Sequence, residues 1–195
     1  MAIEERYGAI IQAAQEVFAR RGYHQASIRE IAKAADLSLA GLYHYIGGKD
    51  ELLFFVLNGA LDGLLGKIDA ALAEAPTPEA KLQALIRTHL DFAFHNGTAL
   101  KIINRDFEQL PEPRRSEVVA KRHAYMLRGL EILRELDDNG RADDELFSAT
   151  NLLLGMLNGI ATRPFLGRRE SRLLAIEVAD LFLHGFLADL RAAAN

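Results

Sequence analysis

Tyr43 and His44 set a phenol beside an imidazole at the end of a short segment that opens at Ser38 and carries only Leu39, Ala40 and Gly41 on its leading edge. Hydrogen-bonding side chains held behind a slim helix edge suit the major groove of duplex DNA, where base edges present donors and acceptors in a sequence-dependent pattern. That is recognition chemistry. Bond-making chemistry has no comparable residues: the chain has no Gly-rich phosphate loop, no G-x-S-x-G elbow, no H-E-x-x-H and no cysteine. His89 and His95 lie six residues apart and share a helix face poorly, and Asp91 and Asp106 do not complete a metal set with them. Arg105 and Asp106 read as surface charges. The chain is expected not to be an enzyme, and to need no cofactor and no metal.

To present Tyr43 and His44, two short helices must cross at a tight turn, and residues 27–53, SIREIAKAADLSLAGLYHYIGGKDELL, have that register. Ser27 is a good N-cap for the first helix, with Glu30 as its capping-box partner, and Ser38 is placed to cap the second. Ala32 is small enough to let the helices approach, and Leu42, ten residues later, faces back into a miniature core completed by Ile31, Leu37 and Tyr45. Asp36 holds the turn position where Gly is usual, and Asp is among the few residues with a side chain that tolerate left-handed backbone. A helical hairpin that binds nothing would meet the same steric demands. Upstream, Ile3, Ile10, Ile11, Ala14, Val17 and Phe18 recur at helical spacing until Gly22, so a first helix braces the hairpin. Downstream, Leu52, Leu53, Val56, Leu57, Leu61, Leu64, Leu65 and Ile68 mark a long fourth helix over about 49–73, stopped by Pro76 and Pro78.

A chain of 195 residues with 50% hydrophobic content can bury a substantial core in one or two domains. The absence of cysteine excludes a disulfide framework and suits a reducing compartment. No run of about 18 apolar residues could span a bilayer, and MAIEERYG lacks the basic-then-apolar pattern of a secretion signal, so a cytoplasmic protein without membrane association is expected. The net charge of -4 argues mildly against nucleic acid. In residues 1–52, however, Arg6, Arg20, Arg21, Arg29, Lys33 and Lys49 nearly balance the acids, so their arrangement decides whether a positive face exists.

Beyond the fourth helix, segments 78–96, 97–110, 114–137, 143–162 and 170–194 are helical and separated by Gly, Pro or Asp/Asn turns. Five helices after the linker make a bundle, which is a good place for an internal pocket. Phe92, Ile103, Phe107, Tyr125 and Met126 could line it, with His95, Arg122, Asn158 and Thr162 as polar anchors; ordinary core packing accounts for the same aromatic spacing. The last two segments are apolar on more than one face, and Gly155, Gly159 and Gly185 permit close approach. Pairing them with their two-fold mates would form an intermolecular four-helix bundle through Leu153, Met156, Leu157, Ile160, Phe182 and Phe186. The alternative is burial of these residues within one chain.

The segment S-I-R-E-I-A-K-A-A followed by L-S-L-A-G-L-Y-H-Y-I-G-G-K-D-E-L-L resembles the N-terminal DNA-binding domain of TetR-family transcriptional regulators. By that resemblance, DNA is contacted by Ser27 and Arg29, by Ser38, Leu39, Ala40, Gly41, Tyr43 and His44, and by Lys49, with Ser27, Arg29, Tyr43 and Lys49 on phosphates. Residues 108–125, 154–159 and 179–186 are similar to the effector domains of members that sense acyl-coenzyme A thioesters, although this chain lacks the Trp those relatives tend to carry. Arg114, Arg115, Arg122, Arg163, Arg168 and Arg169 would then be candidates for the coenzyme phosphates. The expected architecture is all-α: a three-helix helix-turn-helix domain over 1–48 and a ligand-binding and dimerisation bundle over 49–195. The expected function is a homodimeric repressor released from a pseudo-palindromic double-stranded operator by a small hydrophobic effector, with acyl-CoA as the effector class. The alternative is a helical ligand-binding or carrier protein without sequence-specific DNA binding.

Overall fold

The computed structural model describes residues 3–138, 140–161 and 171–186, and of Ile3, Ala161 and Phe186 the backbone alone. Among the described residues the chain is helical and contains no strand. Helix α1 (Ile3–Arg21) buries Ile10, Ala14, Val17 and Phe18 on one face and leaves Ile11 half-buried. It ends where Gly22 takes a φ of 78° and its N–H bonds the Phe18 carbonyl at 2.8 Å, a left-handed cap that glycine adopts without steric cost. Helices α2 (Ile28–Ala34) and α3 (Leu39–Tyr43) follow, then α4 (Lys49–Ala73).

Helix α5 (Pro78–Asp106) opens with Pro78 at its first position, where the missing N–H costs nothing, and the Thr77 hydroxyl accepts from the Ala80 N–H at 3.2 Å. Here the expected division at Asn96 and Gly97 is corrected: α5 runs through both, and Asn96 is a kink at φ -124° and ψ 28°. Four helices therefore follow the Pro76–Pro78 linker among the described residues, not five. A 3-10 turn (Phe107–Gln109) leads to α6 (Arg114–Leu136), then α7 (Asp143–Ala161) and α8 (Ser171–Leu181), which ends in a π turn (Phe182–Phe186).

Packing groups the chain into two compact units. The first joins residues 1–63 to 96–121, so the helix-turn-helix shares its core with the end of α5 and the start of α6. Its interior includes Phe18, Ile31, Leu42, Leu57, Ile102 and Val118, each 0% exposed. The second contains residues 64–95 and 122–195, and its interior includes Ile68, Leu82, Leu85, Leu133, Ala149 and Leu157, also at 0%. Within the second unit, Arg128 of α6 clamps Asp69 of α4 through two bonds of 2.5 and 2.7 Å. Gly129 is where α6 meets α7: a Cβ there would lie 2.9 Å from Cγ2 of the buried Thr150.

Candidate nucleic-acid interface

Both expected N-caps form. Ser27 is extended (φ -100°, ψ 145°) and its hydroxyl accepts from the Glu30 N–H at 3.1 Å; Ser38 is extended (φ -68°, ψ 158°) and accepts from the Gly41 N–H at 3.0 Å. The capping box, in contrast, is not reciprocal. The Glu30 carboxylate turns to Arg20 at 3.4 Å and Arg21 at 3.3 Å, because α1 ends within its reach. Asp36 has a φ of 54°, and the Arg6 guanidinium donates to its carbonyl at 3.1 Å. The turn closes as the Leu37 N–H bonds the Ala32 carbonyl at 2.9 Å. Ile31, Ala32 and Leu42 are buried as expected, while Leu37 and Tyr45 are half-buried and Ile46, at 3% exposed, supplies the missing apolar contact.

The α3 surface is open. Tyr43 is 50% exposed and His44 is exposed, its ring edge-on to Tyr45. Ser38 and Ala40 are exposed, and Leu39 and Gly41 half-buried. A Cβ on Gly41 would meet the capping Ser38 Oγ at 3.1 Å, so the slim edge also protects the cap. Ser27 and Arg29 are exposed on α2. Lys49 differs from the rest: its ammonium donates to the carbonyls of Tyr23 at 2.9 Å and Ala26 at 3.2 Å and lies 4.3 Å from the Tyr23 ring centroid. Tyr23 in turn donates its hydroxyl to Asp50; burial first, then this bond and the Asp50 charge, push its pKa up. Lys49 thus braces the loop between α1 and α2.

Two arginines tie the reading head to later helices of the same unit. Arg105, at the end of α5, donates to the Phe18 carbonyl at 2.6 Å while holding Asp106 through bonds of 2.9 and 2.7 Å. Arg105 is exposed as expected, but Asp106 is 5% exposed, so the expectation of a surface charge is corrected there: it holds the Arg105 guanidinium against the last turn of α1. Arg114, at the start of α6, pairs with Glu51 at 3.2 Å, and the other Glu51 oxygen accepts from the Gly47 N–H just beyond α3. Arg115 pairs with Glu112 at 2.7 Å.

The residues expected to line a pocket fall in both compact units. Phe92 and His95 lie on a groove of the second unit, Tyr125 and Met126 are each 8% exposed in its core, and Arg122 and Asn158 are half-buried there. Ile103 and Phe107 belong to the first unit, and Thr162, Arg163, Arg168 and Arg169 lie outside the described residues. Sequence reading missed Lys67, Arg87 and Arg172, which border the same groove from three helices and sit too far apart in the chain to form a motif. Of the residues expected at a dimer interface, Leu153 and Leu157 are 0% and Phe182 6% exposed in a single chain, covered by their own core. Met156 and Ile160 are half-buried, and the Phe186 side chain is outside the described set. The exposed apolar residues of α7 and α8 are instead Phe147, Leu152, Leu173, Ile176 and Leu181.

Two capped helices crossing at a left-handed turn, with α3 facing solvent, are the geometry of a helix-turn-helix. Residues 10–55 match the family model of bacterial regulatory proteins of the tetR family, and residues 75–186, more than half of the chain, match that of tetracyclin repressor-like C-terminal domains. The chain belongs to the TetR family. This is a regulatory family, not an enzymatic one. Among sequence relatives of this TetR-family chain, the transcriptional activator FasR of Mycolicibacterium smegmatis is 35% identical over 100 residues, 51% of this chain and 46% of its own. The chain thus spans about half the length of FasR, and 60% or less of several other curated relatives. A TetR-family transcriptional regulator from Bordetella parapertussis has a similar crystal structure, with a TM-score of 0.86 and 27% identity over 94% of this chain and 97% of that one. AibR, solved in complex with isovaleryl coenzyme A and operator DNA, has a TM-score of 0.79 and 25% identity over 90% of this chain and 97% of its own. Among the described residues, no helix is long and apolar enough to cross a membrane.

Proposed function

We propose that this TetR-family chain is a homodimeric, ligand-responsive transcriptional repressor that grips a pseudo-palindromic operator through α3 and leaves it when an acyl-coenzyme A thioester binds the second unit. The single observation that carries the reading is the solvent-facing α3, held by the Ser38 cap and the Asp36 turn and presenting Tyr43 and His44. Tyr43, His44 and Ser38 read or grip the duplex from α3, and Ser27 and Arg29 take phosphates from α2. Lys49 contributes through loop geometry as well as charge. The AibR complex supports the effector class.

Release follows from linkage: only a ligand that binds the off-DNA state more tightly can shift the equilibrium away from the operator. Helices α4, α5 and α6 each carry residues of both units, so a displacement along them reaches the ties at Glu51 and Phe18. The test is a mobility shift on duplex from the chain's own upstream region at about 0.1 M salt, where nonspecific phosphate attraction is partly screened. A discrete complex is expected, dissolved by isovaleryl or longer acyl-CoA. Tyr43→Ala and His44→Ala should each weaken it by about 1 to 3 kcal/mol if the residue reads a base. Binding indifferent to both substitutions would remove α3 from the interface, and an acyl-CoA that leaves the complex intact would remove the effector class.

A further inference from the structure

In the second unit, α4, α5 and α8 border an open groove of about 720 Å³, within the size range of small-molecule sites. A recess of about 380 Å³ continues it and shares Arg87 and Arg172. Three cations converge on the groove, one per helix: Lys67 of α4, Arg87 of α5 and Arg172 of α8. None of them pairs with a carboxylate among the described residues. Elsewhere in the same unit the rule is opposite, since Lys81, Arg128 and Arg134 each hold a partner carboxylate at 2.5 to 2.9 Å. The carboxylate in the groove, Asp91, already accepts the Ser171 hydroxyl, and Glu74 lies out along the recess. Three cations against the single Asp91 carboxylate leave the groove with surplus positive charge, which a multiply charged anion placed among them offsets.

The groove floor points to the rest of the ligand. Phe92 is 5% exposed, lines the groove, and has the Lys67 ammonium 5.6 Å from its ring centroid. One turn before it on α5, His89 has a buried Nε2 without a partner, while its Nδ1 lies 2.7 Å from the Tyr125 hydroxyl. Donation by the tyrosine leaves one orphan, the His89 Nε2–H; the other tautomer leaves two, the phenol proton and the Nε2 lone pair. The structure therefore offers an N–H donor in the apolar interior and a cationic groove one helical turn away. A ligand with a phosphorylated headgroup and a hydrogen-bond acceptor on its apolar part answers both.

We infer that Lys67, Arg87 and Arg172 form the phosphate-binding site of this protein, holding the phosphorylated end of its acyl effector. The inference rests on the effector class proposed above and names the residues that would read it. The two are separable by titrating purified protein calorimetrically with isovaleryl-CoA, and separately with inorganic pyrophosphate. The Arg87→Ala/Arg172→Ala double variant changes exposed side chains, so it keeps its fold, and its operator affinity without ligand should equal that of the wild type. Expected is a loss of about tenfold or more in isovaleryl-CoA affinity in the double variant, with a weaker dependence on salt, and loss of pyrophosphate binding. Rescue toward wild-type affinity by Arg87→Lys/Arg172→Lys would mark the effect as charge rather than shape. Equal isovaleryl-CoA affinity in wild type and the Ala double variant overturns the site and leaves the effector class standing. Pyrophosphate binding that the double variant loses, in a protein indifferent to isovaleryl-CoA, supports the site and removes the effector class; a wild type that binds neither overturns the site.

Discussion

Asp36 shows how much a single residue settles. At φ 54° it holds a conformation that costs a residue with a Cβ about 1 kcal/mol more than it costs glycine. The Asp36→Gly variant should therefore gain up to about 1 kcal/mol in urea unfolding without losing operator affinity; a lower midpoint would mean that the aspartate side chain contributes more than its backbone strain costs. Here the sequence was readable, because the residue types that accept left-handed backbone are few. His89 is the opposite case. Only burial, 1% exposed in the structure, lowers its pKa from the ordinary 6.5 to about 4. Above pH 6.5 both folded and unfolded chains carry it neutral. As pH falls from 6.5 toward 4 the unfolded chain takes up the proton first, so this contribution to stability is lost across that window, up to about 3 kcal/mol. Urea unfolding at pH 7 and pH 5 should show a smaller acid loss in the His89→Leu/Tyr125→Phe double variant than in the wild type; equal losses would assign the acid sensitivity to other groups.

At the scale of elements, close approach is what the sequence conceals. Gly129 is an unremarked residue in the middle of α6, yet a methyl group there would lie 2.9 Å from Thr150 Cγ2 on α7. Gly129→Ala should cost about 1 to 3 kcal/mol through overpacking, despite the better helix propensity of alanine; a thermal scan showing a gain would mean that α7 yields at no cost. Gly97 teaches the reverse lesson. It suggests a helix end after Asn96, but nothing lies within 4 Å of its Cβ position and α5 continues past the kink. Glycine weakens a helix by about 1 kcal/mol, and the tertiary contacts on either side, Leu90 and Ala93 before it and Ile102 and Ile103 after it, outweigh that.

At the scale of the molecule, five of the eight large hydrophobic side chains exposed among the described residues lie on α7 and α8. On α7, Leu152, Gly155 and Gly159 are exposed along one face. A dimer formed through this face would present α3 twice to half-sites about one helical turn apart. The Leu152→Glu/Leu181→Glu variant, altering residues that are 67% and 63% exposed, should sediment as a folded monomer and lose operator affinity. A variant that remains dimeric would move the interface elsewhere.

The sequence by itself determined the helical class, the two N-caps at Ser27 and Ser38 and the turn at Asp36, because each depends on contacts within a few residues. It also carried the family pattern, whose residues are contiguous. Tertiary structure alone decided that Lys49 spends its ammonium on Tyr23 and Ala26, and that Arg105 and Asp106 serve α1. It alone decided that Lys67, Arg87 and Arg172 share a groove and that Leu153 and Leu157 are covered. These outcomes join residues from separate helices. Helical periodicity says which residues share a face of one helix, but not which face meets which neighbour, and that choice is made only when the helices pack.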